Sequence, residues 1–535
     1  MRRIIGATVV AASLIVPLAA CQSAGSAPSQ LVVATGDAEP TCLDPHVGGN
    51  WPQALIGNQF LESLFSRDAD GNVIPWLASA VPTPAADGLS WDVPLREGVT
   101  FTDGTAFDAE AVVANMKHLK DPATKSSTGF LALAKVQDVV AVDPRTVRFV
   151  LSEPDSALLE SLAQTWLAIE SPAGLARTQE ENCLAPIGTG PFVVETWTKQ
   201  QSVTFTRNDK YSSPPADAGH EGPAAVQRLE WRFIPDSAAR VAALQSGEVD
   251  VIDSVQPDAV AQFRQSGQFE TVLGARPGVT ARIELNSTRA PFDDAKVREA
   301  FSASADIDAA VQSLYFGTLD RSTSVLSSST PFAVPHPEAY PFDQAAANRL
   351  LDEAGWTTRD ANGIRTKNGV PLTVKFPVST NQSIPAEVSL FEQIQQSAKQ
   401  VGFDVQIEQL DLSTWYERSG AWEFDAIVAP YSKDSADVLR IVYDSAGTVP
   451  APSGYHANNT GLKSPELDAA VQEAARVSDP AQRAALYATA QDIIAKGHYV
   501  VPLYDQMVQF AVSPKVQGFR LQPNLNLPSL LAAHK

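Results

Sequence analysis

Cysteine and methionine are scarce in this chain, three of each among 535 residues. The short motifs that usually anchor an enzyme reading are missing as well: there is no G-x-S-x-G, no H-E-x-x-H, no C-x-x-C, and no Gly-Lys dipeptide on which a phosphate loop could be built. Seven histidines lie scattered at 46, 118, 220, 336, 456, 498 and 534. None sits three or four residues from another on one helix face, so a preformed zinc or nickel cage is not expected, and no cofactor is assigned. Basic charge is in deficit, 40 Lys and Arg against 61 Asp and Glu, for a net charge of −21. Such a surface repels phosphate backbones, which excludes nucleic acid as a partner. What remains is ordinary for a folded chain: 44% hydrophobic and 19% charged residues, with 31 Gly and 38 Pro marking many turns. The length implies three to four domains at ~150 residues each.

The N-terminus carries the most specific short signal. Arg2 and Arg3 precede an uncharged, mostly apolar run from Ile4 to Ala20, too short and too interrupted by Gly6, Ser13 and Pro17 for a membrane span of ~20 residues. It reads as a signal peptide over residues 1–20. The run ends in Leu18-Ala19-Ala20-Cys21, which resembles the bacterial lipobox and makes Cys21 the expected lipidated N-terminus; a plain secretory signal with a chance cysteine is the alternative. Residues 21–29 read as a flexible tether. With Cys21 acylated outside the cytoplasm, Cys42 and Cys183 are the pair left for a disulfide, two buried free thiols being the alternative.

Along the chain, short strands alternate with helices, so the class is mixed α/β. Leu31-Val32-Val33-Ala34 reads as the opening strand, and Val249–Ile252 and Val405–Ile407 as later ones. Helices are expected over Asp343–Ala354, capped by Asp343, and over Pro465–Val477 and Pro480–Lys496, the last opened by Asp479. Asp68-Ala69-Asp70-Gly71-Asn72 is a poor calcium loop, with its Gly misplaced and Ser79 where Glu is needed, and reads as a hairpin turn. Gly188-Thr189-Gly190-Pro191 lacks the third glycine of a nucleotide loop and reads as a rigid turn.

A set of otherwise bland motifs then falls in a telling order: Leu43-Asp44-Pro45, Pro75-Trp76-Leu77-Ala78, Leu95-Arg96-Glu97-Gly98-Val99, Phe101-Thr102-Asp103-Gly104-Thr105, Gly188-Thr189-Gly190-Pro191-Phe192, Arg207-Asn208-Asp209-Lys210-Tyr211, Leu244-Gln245-Ser246-Gly247-Glu248-Val249-Asp250, Pro291-Phe292-Asp293-Asp294 and Leu350-Leu351-Asp352-Glu353-Ala354-Gly355-Trp356. Together they resemble, nearly end to end, the extracellular solute-binding proteins of family 5, the dipeptide-, oligopeptide- and nickel-binding receptors of ABC importers. The resemblance implies a two-lobed clamp of the periplasmic-binding-protein type, hinged between lobes, with domain I at 30–49, 187–278 and 501–535, domain II at 50–186 and domain III at 279–500. On that map Cys42 and Cys183 lie where the chain leaves and re-enters domain I.

The resemblance also implies a function: capture by lobe closure of a peptide or other amine-bearing solute, and delivery to a permease by a monomeric, membrane-anchored, non-enzymatic receptor. Asp434, in Tyr431-Ser432-Lys433-Asp434, aligns with a family aspartate that meets the ligand ammonium; pairing with Lys433 or Arg440, or capping of a loop, is its alternative role. Tyr431 and Trp415 are the expected pocket aromatics, or else core. The Ser379-Thr380-Asn381-Gln382-Ser383 stretch lacks the arginine that clamps the ligand carboxylate in dipeptide binders, which argues against strict dipeptide specificity. Metal chelates, siderophores and oligosaccharides, or a scaffold role without transport, remain as alternatives.

Overall fold

The computed structural model describes residues 29–380 and 382–535. The expected signal peptide, Cys21 and the tether up to residue 28 lie outside the described residues.

The opening strand, Gln30–Thr35, is apolar on both sides because both sides are covered. Leu31 and Val33 point into one hydrophobic cluster, Val32 and Ala34 into another. It pairs in parallel with Arg228–Phe233 on one side and Val251–Ile252 on the other. These three are the centre of a seven-stranded sheet in the order Glu270–Ala275, Met507–Val512, Val251–Ile252, Gln30–Thr35, Arg228–Phe233, Ser202–Arg207, Phe192–Thr198. Helices Ser237–Ser246 and Pro257–Ser266 cover one face through Leu244, Val260 and Phe263. The other face opens into a cluster that continues through Leu55, Phe60, Val112, Phe149 and Trp166. The antiparallel strands Ser90–Pro94, Thr146–Leu151 and Val136–Asp143 and the helix Ala109–Lys120 therefore share a core with the large sheet. Gly188 and Gly190 make that junction possible, since a Cβ on Gly190 would sit 2.5 Å from the Phe60 carbonyl carbon and one on Gly188 2.1 Å from its oxygen.

A second body has its own cores. Strand Ala281–Leu285 lies between Ala426–Ile427 and Val500–Tyr504. Val500–Tyr504 thus belongs to this sheet, and the return to the large sheet falls at residues 505–506. Alongside, Thr373–Ser379 and Asp404–Leu410 pair in parallel around the helix Pro385–Val401, which has Pro at its first turn and ends at Gly402, φ +109°. Helices Pro465–Ala474 and Pro480–Lys496 pack with Val438–Tyr443 around Leu467, Val471, Tyr487 and Ile494. Asp479 caps the longer helix by accepting from Gln482 N at 2.8 Å. Asp343 does the same for Gln344–Glu353, at 2.8 Å from Ala346 N. Asp68 Oδ1 accepts from Asp70 N and Asn72 N in a hairpin between Phe65–Arg67 and Val73–Pro75, the turn expected in place of a calcium loop.

Cys42 and Cys183 are bonded, with Cα atoms 4.4 Å apart. Leu43 N donates to Cys183 O at 2.9 Å, so backbone and side chains close the same loop. The bond spans 141 residues, and the chain-entropy description assigns such a loop about 5 kcal/mol of stabilisation. Replacing both cysteines with serine is expected to lower the thermal midpoint and the urea midpoint together, while thiol titration of the denatured, unreduced wild type finds neither residue reactive. Two reactive thiols there would mean that the loop is held by packing alone.

Candidate solute-binding cleft

Between the two bodies run two connectors, residues 276–280 outward and 505–506 back, tied by Arg276 N donating to Gln506 O at 2.7 Å. Gly278 passes so close to the second body that a Cβ would lie 2.3 Å from Tyr431 O, at φ +121°. Beyond the connectors the bodies face each other across a cavity of about 560 Å³, within the size range of small-ligand sites. Its first wall is the end of the opening strand and its neighbours, with Gly36, Asp37, Asp253 and Trp51; its second is Ser379, Gln382, Ser383, Glu387 and Pro430. A smaller chamber of about 60 Å³ adjoins it, sharing Trp51, Arg276, Gln382 and Pro430. That chamber is aromatic, walled by Trp166, Trp415, Tyr416, Tyr431 and Tyr455.

Arg276 stands on the wall common to both spaces. Its guanidinium lies 3.7 Å over the Trp51 ring, and Nε and Nη2 reach Ser432 Oγ at 3.2 and 2.9 Å. Burial pulls its pKa down to about 10, against the pull of Asp37, Glu387 and Tyr504, so it stays cationic at neutral pH with donors to spare. Asp37 is the complementary group. Burial first, and Asp253 second, push its carboxyl up to about 7, although Ala38 N donates to it at 2.8 Å. The buried charges Asp253, Arg240 and Glu387 are already engaged. Asp253 accepts from Thr35 Oγ1 at 2.6 Å and Gly36 N at 2.7 Å. Arg240 donates to the carbonyls of Ile234, Pro235, Asp253 and Ser254. Glu387, raised by burial, accepts from Tyr504 Oη at 2.6 Å.

Of the residues singled out by sequence, Tyr431 and Trp415 both line the aromatic chamber, Trp415 also packing edge-on to Tyr416 at 5.1 Å. Asp434 lies outside the linings of both spaces. It accepts from Leu525 N at 3.0 and 3.2 Å, while burial pushes its carboxyl up to about 6. Neither Lys433 nor Arg440 is its hydrogen-bond partner, because Arg440 binds Asp437 through two bonds of 2.8 Å and Lys433 reaches Ser161 Oγ at 2.8 Å. Lys433 joins the bodies directly, as do Arg476 with Glu153 at 2.5 Å and Ser156 N with Ala475 O at 2.8 Å. Sequence reasoning missed Asp37, Trp51, Arg276 and Glu387, which carry no local motif. It also missed that His46 and His118, 72 residues apart, meet at Asp44 with donor atoms within 4.8 Å of one another, a group able to hold a metal ion.

Known proteins of the same architecture bind small solutes. The glutathione-binding protein GsiB of Escherichia coli O1:K1 is 29% identical over 515 residues, covering 94% of each chain. NikA of Brucella suis, solved in complex with Fe(III)-EDTA, is 27% identical with a TM-score of 0.79, covering 95% of this chain and 100% of that one. The dipeptide-binding protein of Pseudoalteromonas sp. SM9913, solved with Met-Leu, shares the fold at a TM-score of 0.82 and 23% identity, covering 95% of this chain and 100% of that one. Residues 72–451, more than half of the chain, match the description "Bacterial extracellular solute-binding proteins, family 5 Middle". Two lobes, paired connectors and a polar cavity between them fit that description, and the chain belongs to the extracellular solute-binding proteins of family 5.

Proposed function

We propose that this protein is a lipid-anchored receptor that closes on a zwitterionic, peptide-like solute and delivers it to an ABC importer. The observation that carries the reading is the pairing of Arg276 with Asp37 in one cavity. A cation with unspent donors suits a carboxylate, and a carboxyl whose ionised form is short of partners suits an ammonium. Arg276 supplies from the connector the cation that Ser379–Ser383 lacks. Tyr431 and Trp415 serve as chamber walls for side chains. Asp434, occupied by Leu525 N–H, is given the role of holding the second lobe to the C-terminal segment, and the ammonium is assigned to Asp37. The likeness to a glutathione-binding protein supports a small peptide of that class.

Native mass spectrometry of protein purified from its own host names the co-purified solute, and calorimetry with that solute and with glutathione tests the pairing. Arg276→Gln is expected to weaken binding by roughly 30-fold or more, as loss of one buried charge partner costs ~2–5 kcal/mol. Unchanged affinity, with an unchanged apo melt, would remove Arg276 from the site. The likeness to a protein solved with Fe(III)-EDTA supports a second reading, an anionic metal chelate held by Arg276. Asp37→Asn separates the two, because it abolishes the contact to an ammonium and leaves an anionic chelate bound at least as well.

The pH dependence follows from Asp37, whose pKa of about 7 in the unliganded cleft lies above its ordinary 3.8. Its ionised form, the one an ammonium needs, is lost as pH falls through 7. Affinity should therefore drop by roughly tenfold between pH 8 and pH 6, with proton release on binding near pH 7, and Asp37→Asn should flatten the profile. For the unliganded protein the sign is opposite: a carboxyl with a raised folded pKa favours folding at low pH, and that contribution fades from pH 4 to 7. A flat profile in the wild type would place the ammonium elsewhere.

The anchor is tested separately. Mass analysis of the mature protein from host membranes should find Cys21 as a diacylated first residue, two chains giving stable anchoring where one is marginal. An unlipidated N-terminus at another residue in the soluble fraction would show simple secretion.

A further inference from the structure

Asp44, His46 and His118 meet away from the cleft, beside the Cys42–Cys183 bond, and their arrangement is unfinished as it stands. His46 is fully buried, and its Nε2 lies 3.0 Å from the carbonyl oxygen of Ala168. A carbonyl only accepts, so Nε2 carries the hydrogen and Nδ1 is left with a bare lone pair. Nδ1 has no hydrogen-bond partner among the described residues, and it faces Asp44 Oδ1, another acceptor, at 3.9 Å. Asp44 Oδ1 already accepts from His46 N at 2.9 Å, so the group left wanting is the buried Nδ1 lone pair, which a donor or a cation would satisfy.

The remaining contacts supply the rest of a coordination sphere. His118, in the last turn of helix Ala109–Lys120, places Nε2 3.0 Å from Asp44 Oδ2. Its Nδ1 lies 3.4 Å from Thr124 Oγ1. Asn182 Nδ2 donates both to Asp44 Oδ2 at 3.0 Å and to Glu170 Oε2 at 2.8 Å, fixing the two carboxylates beside each other. Glu170 is fully buried and its Oε1 has no hydrogen-bond partner among the described residues.

We propose that Asp44, His46 and His118 bind a divalent cation of the zinc class as a structural site, with buried Glu170 adding negative charge beside it. Donors around a tetrahedral zinc with bonds of ~2 Å stand about 3.3 Å apart; here one donor atom from each of the three residues lies within 4.8 Å of the others, a spacing that a modest inward shift of the side chains closes. The Ala168 carbonyl behind His46 and the Asn182 amide behind the carboxylates are the outer partners that orient such ligands. The dication offsets two buried carboxylates, and half-buried His118 leaves a side open for entry. Two imidazoles and carboxylate oxygens favour zinc over calcium or magnesium. The ion fastens residues 44–46 to the end of helix Ala109–Lys120, next to where the disulfide fastens residue 42 to 183.

The test uses the untagged full chain, stripped with a chelator and titrated with zinc chloride alone. About one zinc per chain is expected, with a rise in thermal midpoint on zinc addition and an X-ray absorption edge fitted by two imidazoles plus oxygen. His118→Gln, at a half-buried helix end, should bind zinc at least about tenfold more weakly while keeping the disulfide. Absence of saturable zinc binding by the wild type would overturn the proposal. So would zinc affinity unchanged in His118→Gln, or a spectrum without imidazole ligands, which needs no variant and stands even if the substitution unfolds the chain.

Discussion

The bond from Arg276 N to Gln506 O holds together the only two strands of chain that pass between the lobes among the described residues. Because the outward connector follows Glu270–Ala275 and the return one precedes Met507–Val512, and these two strands pair over their length, the connectors leave the large sheet side by side. On arrival they separate into Ala281–Leu285 and Val500–Tyr504, which pair again. The lobes are thus joined by a two-stranded ribbon, stiff along its hydrogen bonds and able to bend across them, which is the mechanical requirement of a clamp. The side chain of Arg276 projects from that ribbon toward the cavity, so the group best suited to an anionic end of a ligand sits on the element that bends.

Charge in the cleft divides into what the fold has spent and what it has left over. Burying a charge costs several kcal/mol unless hydrogen bonds and partners offset it. Asp253, Arg240 and Glu387 meet that cost internally, through Thr35 and Gly36, four carbonyls, and Tyr504. Asp37 and Arg276 have fewer such bonds, Asp37 accepting from Ala38 N and Arg276 donating from its side chain to Ser432 Oγ, and this is their shortfall. A ligand carrying both signs removes it from both at once. Asp37 and Arg276 are half-buried in the unliganded cleft, so closure on such a ligand would remove their remaining water in exchange for its charges.

Sequence read well wherever structure is set by near neighbours. Asp343 and Asp479 cap the helices assigned to them, the turn at Asp68–Asn72 is a hairpin, and the apolar run at Leu31 is a strand buried on both faces. The family motifs located the clamp, and the cysteine count located the disulfide. The cleft was legible only in part. Tyr431 and Trp415, aromatics singled out through the family motif, line the smaller chamber while also belonging to neighbouring hydrophobic cores. Asp37 and Arg276 were invisible because their significance comes from the ends of strands that are neighbours in the sheet and distant in the chain. Asp434 shows the converse: its motif aligns with the family, but the C-terminal segment offers it Leu525 N–H. His46 and His118 escaped a search by helical spacing because a loop and a helix end bring them together.

The joint at Cys42–Cys183 and the cleft are linked by a short series of contacts. Past the disulfide, the loop over residues 44–49 is held by Gln53 Nε2, which donates to the carbonyls of Cys42 at 3.2 Å and Val47 at 3.1 Å and also to that of Asp44. Asn50 then caps the helix Trp51–Gly57 through Gln53 N, and its carbonyl accepts from Trp166 Nε1 at 3.0 Å. Trp51, the first residue of that helix, is the ring on which Arg276 stacks. The guanidinium of the clamp is therefore positioned from two directions, by the ribbon that carries its backbone and by a tryptophan whose place is set at the joint. That dependence gives the disulfide, and the Asp44 cluster beside it, a bearing on recognition as well as on stability.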